Sequence, residues 1–221
     1  MSLLVLFLSV IVGIVIVFAF NPSKKITQLL LSFSGAYLLA ITITHLLPEV
    51  FNSNINNIGL FIILGLLVQL IMDYFSKGAE HGHIHAHGNN LPVILFVSLC
   101  LHAFIEGIPV HDHNHEELLW AIVIHKIPIT IVLGSFLVYA KTSITKSLAI
   151  LILFALMSPL GSLAGEHIPL LINYKAQITA IIVGIFLHIS TIIIFESSEN
   201  HKFNRAKFIA IVVGFAVAAL I

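Results

Sequence analysis

Long apolar stretches, separated by short polar runs, make up most of this chain. Stretches of about 20 mainly apolar residues, the length that crosses a hydrocarbon core, occur at 2–20, 27–47, 58–75, 91–110, 117–140, 146–165 and 176–195, and a shorter one at 206–221. Within them the apolar residues are continuous rather than alternating. That pattern predicts helices and not barrel strands, the two structures that satisfy their backbone in lipid. The connections are short and polar, for example Asn21 to Lys25, Asn52 to Asn57 and Lys141 to Thr145. The expected fold class is therefore all-α, a polytopic membrane protein with eight transmembrane helices in one bundle. Residues 1–221 are read as a single transmembrane domain, with 76–90 as a polar loop between the third and fourth spans.

Composition agrees with this pattern. Apolar residues make up 59% of the chain and charged residues 9%, against roughly a quarter charged in soluble domains. Formal net charge is zero, which gives no reason to expect a nucleic-acid partner. Cys100 is the single cysteine, so an internal disulfide framework is excluded. Met1 to Phe20 has no basic leader or small-residue cleavage site and is read as a first span. Compactness and the lack of a targeting signal suggest a bacterial inner membrane.

The basic residues orient the bundle. Lys24, Lys25, Lys77, Lys141, Lys146, Lys202, Arg205 and Lys207 all fall in or beside odd-numbered connections, and the even connections hold only Lys175. By the positive-inside rule the odd loops are cytoplasmic and both termini external. Pro128 interrupts the fifth span, and Pro159, Gly161 and Gly165 punctuate the sixth. Close helix packing through small residues and backbone opened onto a polar cavity both fit.

Ionisable residues in mid-span are costly and mark function by default. The fourth span carries His102 and Glu106, spaced i, i+4 and so on one helix face. The fifth carries His125 and Lys126, followed by Pro128, which disturbs the carbonyl of Ile124 and is expected to kink the helix beside His125. Imidazole and carboxylate together suit zinc and neighbouring divalent ions. The bland reading of His102 and Glu106 is a hydrogen-bonded pair that fixes packing. A second His in the next span favours a metal. Outside these spans, Glu80-His-Gly-His-Ile-His-Ala-His87 places His81, His83, His85 and His87 at alternate positions. Such a tract binds metal or is simply a solvated loop. His111, Asp112, His113, His115, Glu116 and Glu117 form a second cluster that would concentrate cations on the outer face, or serve as an ordinary polar loop.

These motifs, in this order, resemble the ZIP (Zrt/Irt-like) family of metal transporters. His102-Ala-Phe-Ile-Glu106-Gly107 is similar to that family's fourth-span His-Asn-x-x-Glu/Asp-Gly pattern, and His125-Lys-Ile-Pro128 to its fifth-span His-Glu-x-Pro-His/Glu pattern. His45-Leu-Leu-Pro48-Glu49, Ser158-Pro-Leu-Gly161 and Phe186-Leu-His188 resemble stretches of its second, sixth and seventh spans. The resemblance implies eight spans, external termini, a His-rich cytoplasmic loop and transport of a divalent ion toward the cytoplasm, zinc foremost, with iron, manganese, cadmium and cobalt as rivals. It implies no cofactor beyond the transported ion. The partners are the ion and the bilayer, and a homodimer is a compatible assembly.

Departures from the family pattern narrow the site. Second-ion ligands would fall at Ala103, Lys126 and Ser158, and Ile129 also lacks the family's ligand. The resemblance thus implies one metal at His102, Glu106 and His125, with the Lys126 ammonium standing where a second ion would sit and pairing with Glu106. His45 and Glu49, beside Pro48 as a helix end, are candidate outer pathway residues. His188 and Glu196 are inner ones, though each also has a structural reading. Asp73 is expected at the inner interface. Two rivals remain: a membrane-embedded metal-dependent hydrolase, for which no zincin motif is present, and a metal sensor without flux.

Overall fold

A computed structural model describes residues 1–76, 93–111, 116–196 and 204–220, and the side chains of His111 and Glu196 lie outside the description. Among the described residues every regular element is a helix: α1 (Ser2–Phe20), α2 (Lys24–Ile41), α3 (Leu47–Asn52), α4 (Ile58–Ser76), α5 (Val93–Gly107), α6 (Glu116–Tyr139), α7 (Ile144–His167), α8 (Pro169–Asn173), α9 (Lys175–Glu196) and α10 (Arg205–Ala218). Among the described residues, seven stretches are long and apolar enough to cross a membrane: α1, α2 with α3, α4, α5 with the turn after it, α6, α7 and α9. Where an eighth span was expected lies α10, 14 residues, or about 21 Å at the α-helical rise, and it is not among the seven. Large apolar side chains cover the outer faces, among them Leu4, Leu8 and Val12 on α1 and Leu60, Leu67 and Leu70 on α4. Water would not tolerate so much exposed apolar surface, and lipid does.

Local signals set the helix ends. Ser23 accepts from the Ile26 N–H at the start of α2, and Asn204 accepts from the Lys207 N–H at the start of α10. Each satisfies a donor that the first helical turn leaves over. Asn21 ends α1 in the left-handed region at φ 42°, where Asn is among the better-tolerated residues.

Pro48 does not end its helix, contrary to expectation. A π-helical turn, Thr42–Leu46, joins α2 to α3, and Pro48 lies in the first turn of α3. The Leu47 N–H bonds back to the Thr42 carbonyl, a five-residue reach in place of four. The wider register carries the helix past a residue with no N–H, and Pro is tolerated in a first helical turn. Pro128 and Pro159, by contrast, lie inside unbroken α-helices.

Glycines allow close approach. A Cβ on Gly107 would run into the Ser158 carbonyl oxygen, and one on Gly161 into that of Phe104, so α5 and α7 pack backbone to backbone. Gly65 and Gly184 do the same for α4 and α9. The most extensive packing divides the spans into two groups. α1, α5, α6 and α7 form one, and α2, α4, α9 and α10 the other. They meet chiefly where α2 lies on α6 and α4 on α5. α6 is the most enclosed span, with 78% of its apolar window buried against 28% for α4. That enclosure decides which helix can hold polar residues away from lipid.

Candidate metal site

The site lies where α5, α6 and α7 meet. On α5 the i, i+4 spacing stacks His102 over Glu106, and His102 Nε2 is 2.8 Å from Glu106 Oε1. His125 and Lys126 are consecutive on α6 and so diverge by about 100° around the axis. Both are fully buried, which the enclosure of α6 allows. Lys126 Nζ donates to Glu106 Oε2 at 2.9 Å. One carboxylate thus bridges His102 and Lys126, an oxygen to each. The ammonium also lies 5.2 Å from the centre of the Phe154 ring of α7, a cation–π distance. His125 stands edge-on to His102 with ring centres 6.4 Å apart.

One nitrogen from each His and one oxygen from Glu106 lie within 4.8 Å of one another. Zinc ligands at about 2.0–2.1 Å from the ion sit roughly 3.3 Å apart in a tetrahedron, so modest rotamer adjustment closes the three on one ion. The donor set, two imidazoles and a carboxylate, suits zinc and its neighbours. All three residues are at most 1% exposed, so solvent does not reach the ligand atoms in this arrangement.

The residues at the departures from the family pattern lie beside this cluster. Ser158 Oγ donates to the Ala103 carbonyl at 2.7 Å, which ties α7 to α5 and commits its proton. Lys126 is wholly buried and ion-paired and does not reach to an interface. Other predicted residues are not gathered here. His45 is exposed within the π turn, with Nδ1 2.8 Å from Thr44 Oγ1. Glu49 and His188 are half-buried on α3 and α9, and Asp73 is half-buried on α4. His81, His83, His85 and His87, with Asp112, His113 and His115, lie outside the described residues.

Three residues of this neighbourhood carried no signal in the sequence. Phe154 faces Lys126. Ser34 of α2 places Oγ 3.4 Å from His125 Nδ1. Tyr37, one turn further along α2, is fully buried, and its hydroxyl has no hydrogen-bond partner. Ser, Tyr and Phe are ordinary occupants of an apolar helix, and only tertiary contact distinguishes these.

The described residues form a polytopic helical bundle of membrane-spanning length, with a buried His/Glu/His cluster that could hold a metal ion. The sequence profile of the ZIP zinc transporter family matches residues 79–221, more than half of the chain, and the chain belongs to that family. Its members are transporters and not enzymes. Protein zntD of Dictyostelium discoideum is 28% identical over 169 residues, a match that takes in 66% of this chain and 25% of that protein. The chain therefore spans about a quarter of the length of this curated relative. The relative is eukaryotic and lends no support to the bacterial membrane expected from the sequence.

Proposed function

We propose that this protein carries a divalent transition-metal ion, zinc foremost, across the membrane toward the cytoplasm. The ion passes through one intramembrane site made of His102, Glu106 and His125. The observation that carries this reading is the convergence of their ligand atoms within 4.8 Å in full burial. A packing pair would need only two of them. Lys126 takes the electrostatic place of a second ion. It holds Glu106 when no metal is present and competes with the metal when one arrives. A site of this kind grips strongly enough to strip water from the ion and weakly enough to let it go.

All three ligands sit on α5 and α6, within one helix group, so the site moves as a unit. Rocking of that group against α2, α4, α9 and α10 would turn it from one side of the membrane to the other. On the orientation given by the basic residues, both termini are external. His45 and Glu49 then lie on the outer approach, His188 and Glu196 on the inner exit, and the His81–His87 tract receives the ion.

Zinc uptake into proteoliposomes tests this directly. The wild type is expected to load zinc, and His102→Ala to lose at least tenfold in rate. Uptake unchanged in His102→Ala would remove the site. Binding that persisted without uptake in the wild type would instead make the protein a sensor.

A further inference from the structure

Ser34 reaches the site from the opposite helix group. It is wholly buried on α2. Its hydroxyl donates to the Leu31 carbonyl, one turn back, at 3.0 Å. A hydroxyl has one proton and two lone pairs. With that proton committed to Leu31, Oγ can only accept from His125 Nδ1, 3.4 Å away. In that arrangement Nδ1 carries the hydrogen, and the ring's remaining lone pair is on Nε2. A neutral imidazole in this tautomer binds a metal through Nε2 alone.

We propose that Ser34 is a positioning residue for the metal site. It selects the Nδ1–H tautomer of His125 and holds the ring with Nε2 available to the ion that His102 and Glu106 share. This rests on the three-residue metal site proposed above. Because Ser34 belongs to the group that carries no ligand, the contact bridges the two groups. At 3.4 Å it is long for a hydrogen bond, and a further displacement of a few tenths of an ångström ends it. The site is then tight when the groups stand as they do here. It loosens when they move apart, which is the condition for releasing the ion.

The competing explanation is packing. Serine and threonine hydroxyls within membrane helices often bond a carbonyl three or four residues back, as Ser9, Ser32 and Thr42 do in this chain. Ser34 would then be a small residue that lets α2 approach α6. Packing predicts a silent Ser34→Ala and a harmful Ser34→Thr. The proposal predicts the reverse order, since threonine keeps the acceptor and alanine removes it.

The test is zinc titration of the full chain in nanodiscs, with ¹⁵N-histidine spectra of the same samples and His125→Gln to assign the ring. Ser34→Ala is expected to weaken zinc affinity 10- to 100-fold, the usual cost of losing a ligand's supporting hydrogen bond. Without zinc it should turn His125 from one tautomer to a mixture, with the melting temperature unchanged. Ser34→Thr should retain affinity and tautomer. Wild-type affinity in Ser34→Ala, beside a deficient His102→Ala, would overturn the role of Ser34 and leave the site standing. Wild-type affinity in His102→Ala would remove the site and the proposal together. Should Ser34→Thr fail to fold, the tautomer in Ser34→Ala decides: an unchanged Nδ1–H signal overturns the proposal.

Discussion

Glu106 is the residue on which the site's electrostatics turn, because its two oxygens serve two different partners. His102 touches one and Lys126 the other, at 2.8 Å and 2.9 Å. Removing Lys126 leaves a buried carboxylate without its cation, and breaking a buried pair this way costs about 3–5 kcal/mol. Lys126→Met is therefore expected to lower thermal stability strongly, and Lys126→Met with Glu106→Gln to regain most of it. Unfolding followed by intrinsic fluorescence in detergent compares the two, and a double variant no more stable than the single one would deny the pairing its role. Lys126→Glu makes the opposite change and supplies a carboxylate at the second-ion position. Metal analysis of that variant is expected to give two zinc ions per chain against one for the wild type. A count of one in both would mean that Lys126 does not occupy a second-ion site. His102, Glu106, His125 and Lys126 were legible in the sequence because an ionisable group in an apolar span is a strong signal. Ser34, Tyr37 and Phe154 were not, because their chemistry is commonplace in a membrane helix until the fold brings a partner within reach.

At the scale of elements, the spans were readable almost to their ends, since twenty apolar residues between polar runs leave little choice of structure. The treatment of proline was not. Pro48 looked like a helix end, but the backbone shifts into a π register at Thr42–Leu46 and continues. Pro159, which fitted either close packing or an opened backbone, sits in a regular helix that packs closely on α5 through Gly161. Sequence alone cannot separate these outcomes, because both remove one N–H and differ only in how the neighbouring turns re-pair. The π turn is expected to depend on Pro48. Pro48→Ala restores an N–H that can bond the Thr44 carbonyl in the ordinary α register. Slower amide hydrogen exchange over 42–48 in that variant would report the change, and unaltered exchange would show that another contact imposes the π turn. The α5–α7 contact makes a different prediction. Gly161→Leu forces a side chain against the Phe104 carbonyl, and overpacking of this kind costs about 1–3 kcal/mol or more. A lowered melting temperature is expected. A change confined to uptake, at normal stability, would show that the contact is not structural.

The division of the molecule into two helix groups lay beyond the reach of any pattern in the chain. Members of each group are scattered along the sequence, and the periodicity of a span says which face is apolar but not what covers it. The close glycine approaches respect the division. Gly13 meets Thr130, Gly134 meets Val17, and Gly107 and Gly161 join α5 to α7, all inside one group. Gly35 meets Ile193, Gly65 and Gly184 join α4 to α9, and Gly214 meets Phe33 and Ala36, all inside the other. Where backbone meets backbone, as between α5 and α7 or α4 and α9, the helices cannot slide, whereas the boundary is crossed by side-chain contacts such as Ser98 Oγ to the Met72 carbonyl at 2.9 Å, which can be exchanged. Relative motion of two rigid bodies is the simplest use of such a boundary, and it can be stopped. In a Cys100→Ser background, a short bifunctional thiol reagent joining Ser98→Cys to Met72→Cys should abolish zinc uptake while binding persists. A link inside one group, Val17→Cys to Gly134→Cys, where a Cβ on residue 134 would lie 3.4 Å from that of residue 17, should leave uptake near the level of the unlinked protein. Uptake that survived the first link would mean that the ion crosses without the groups moving, and would turn the reading of this protein from a carrier to a channel.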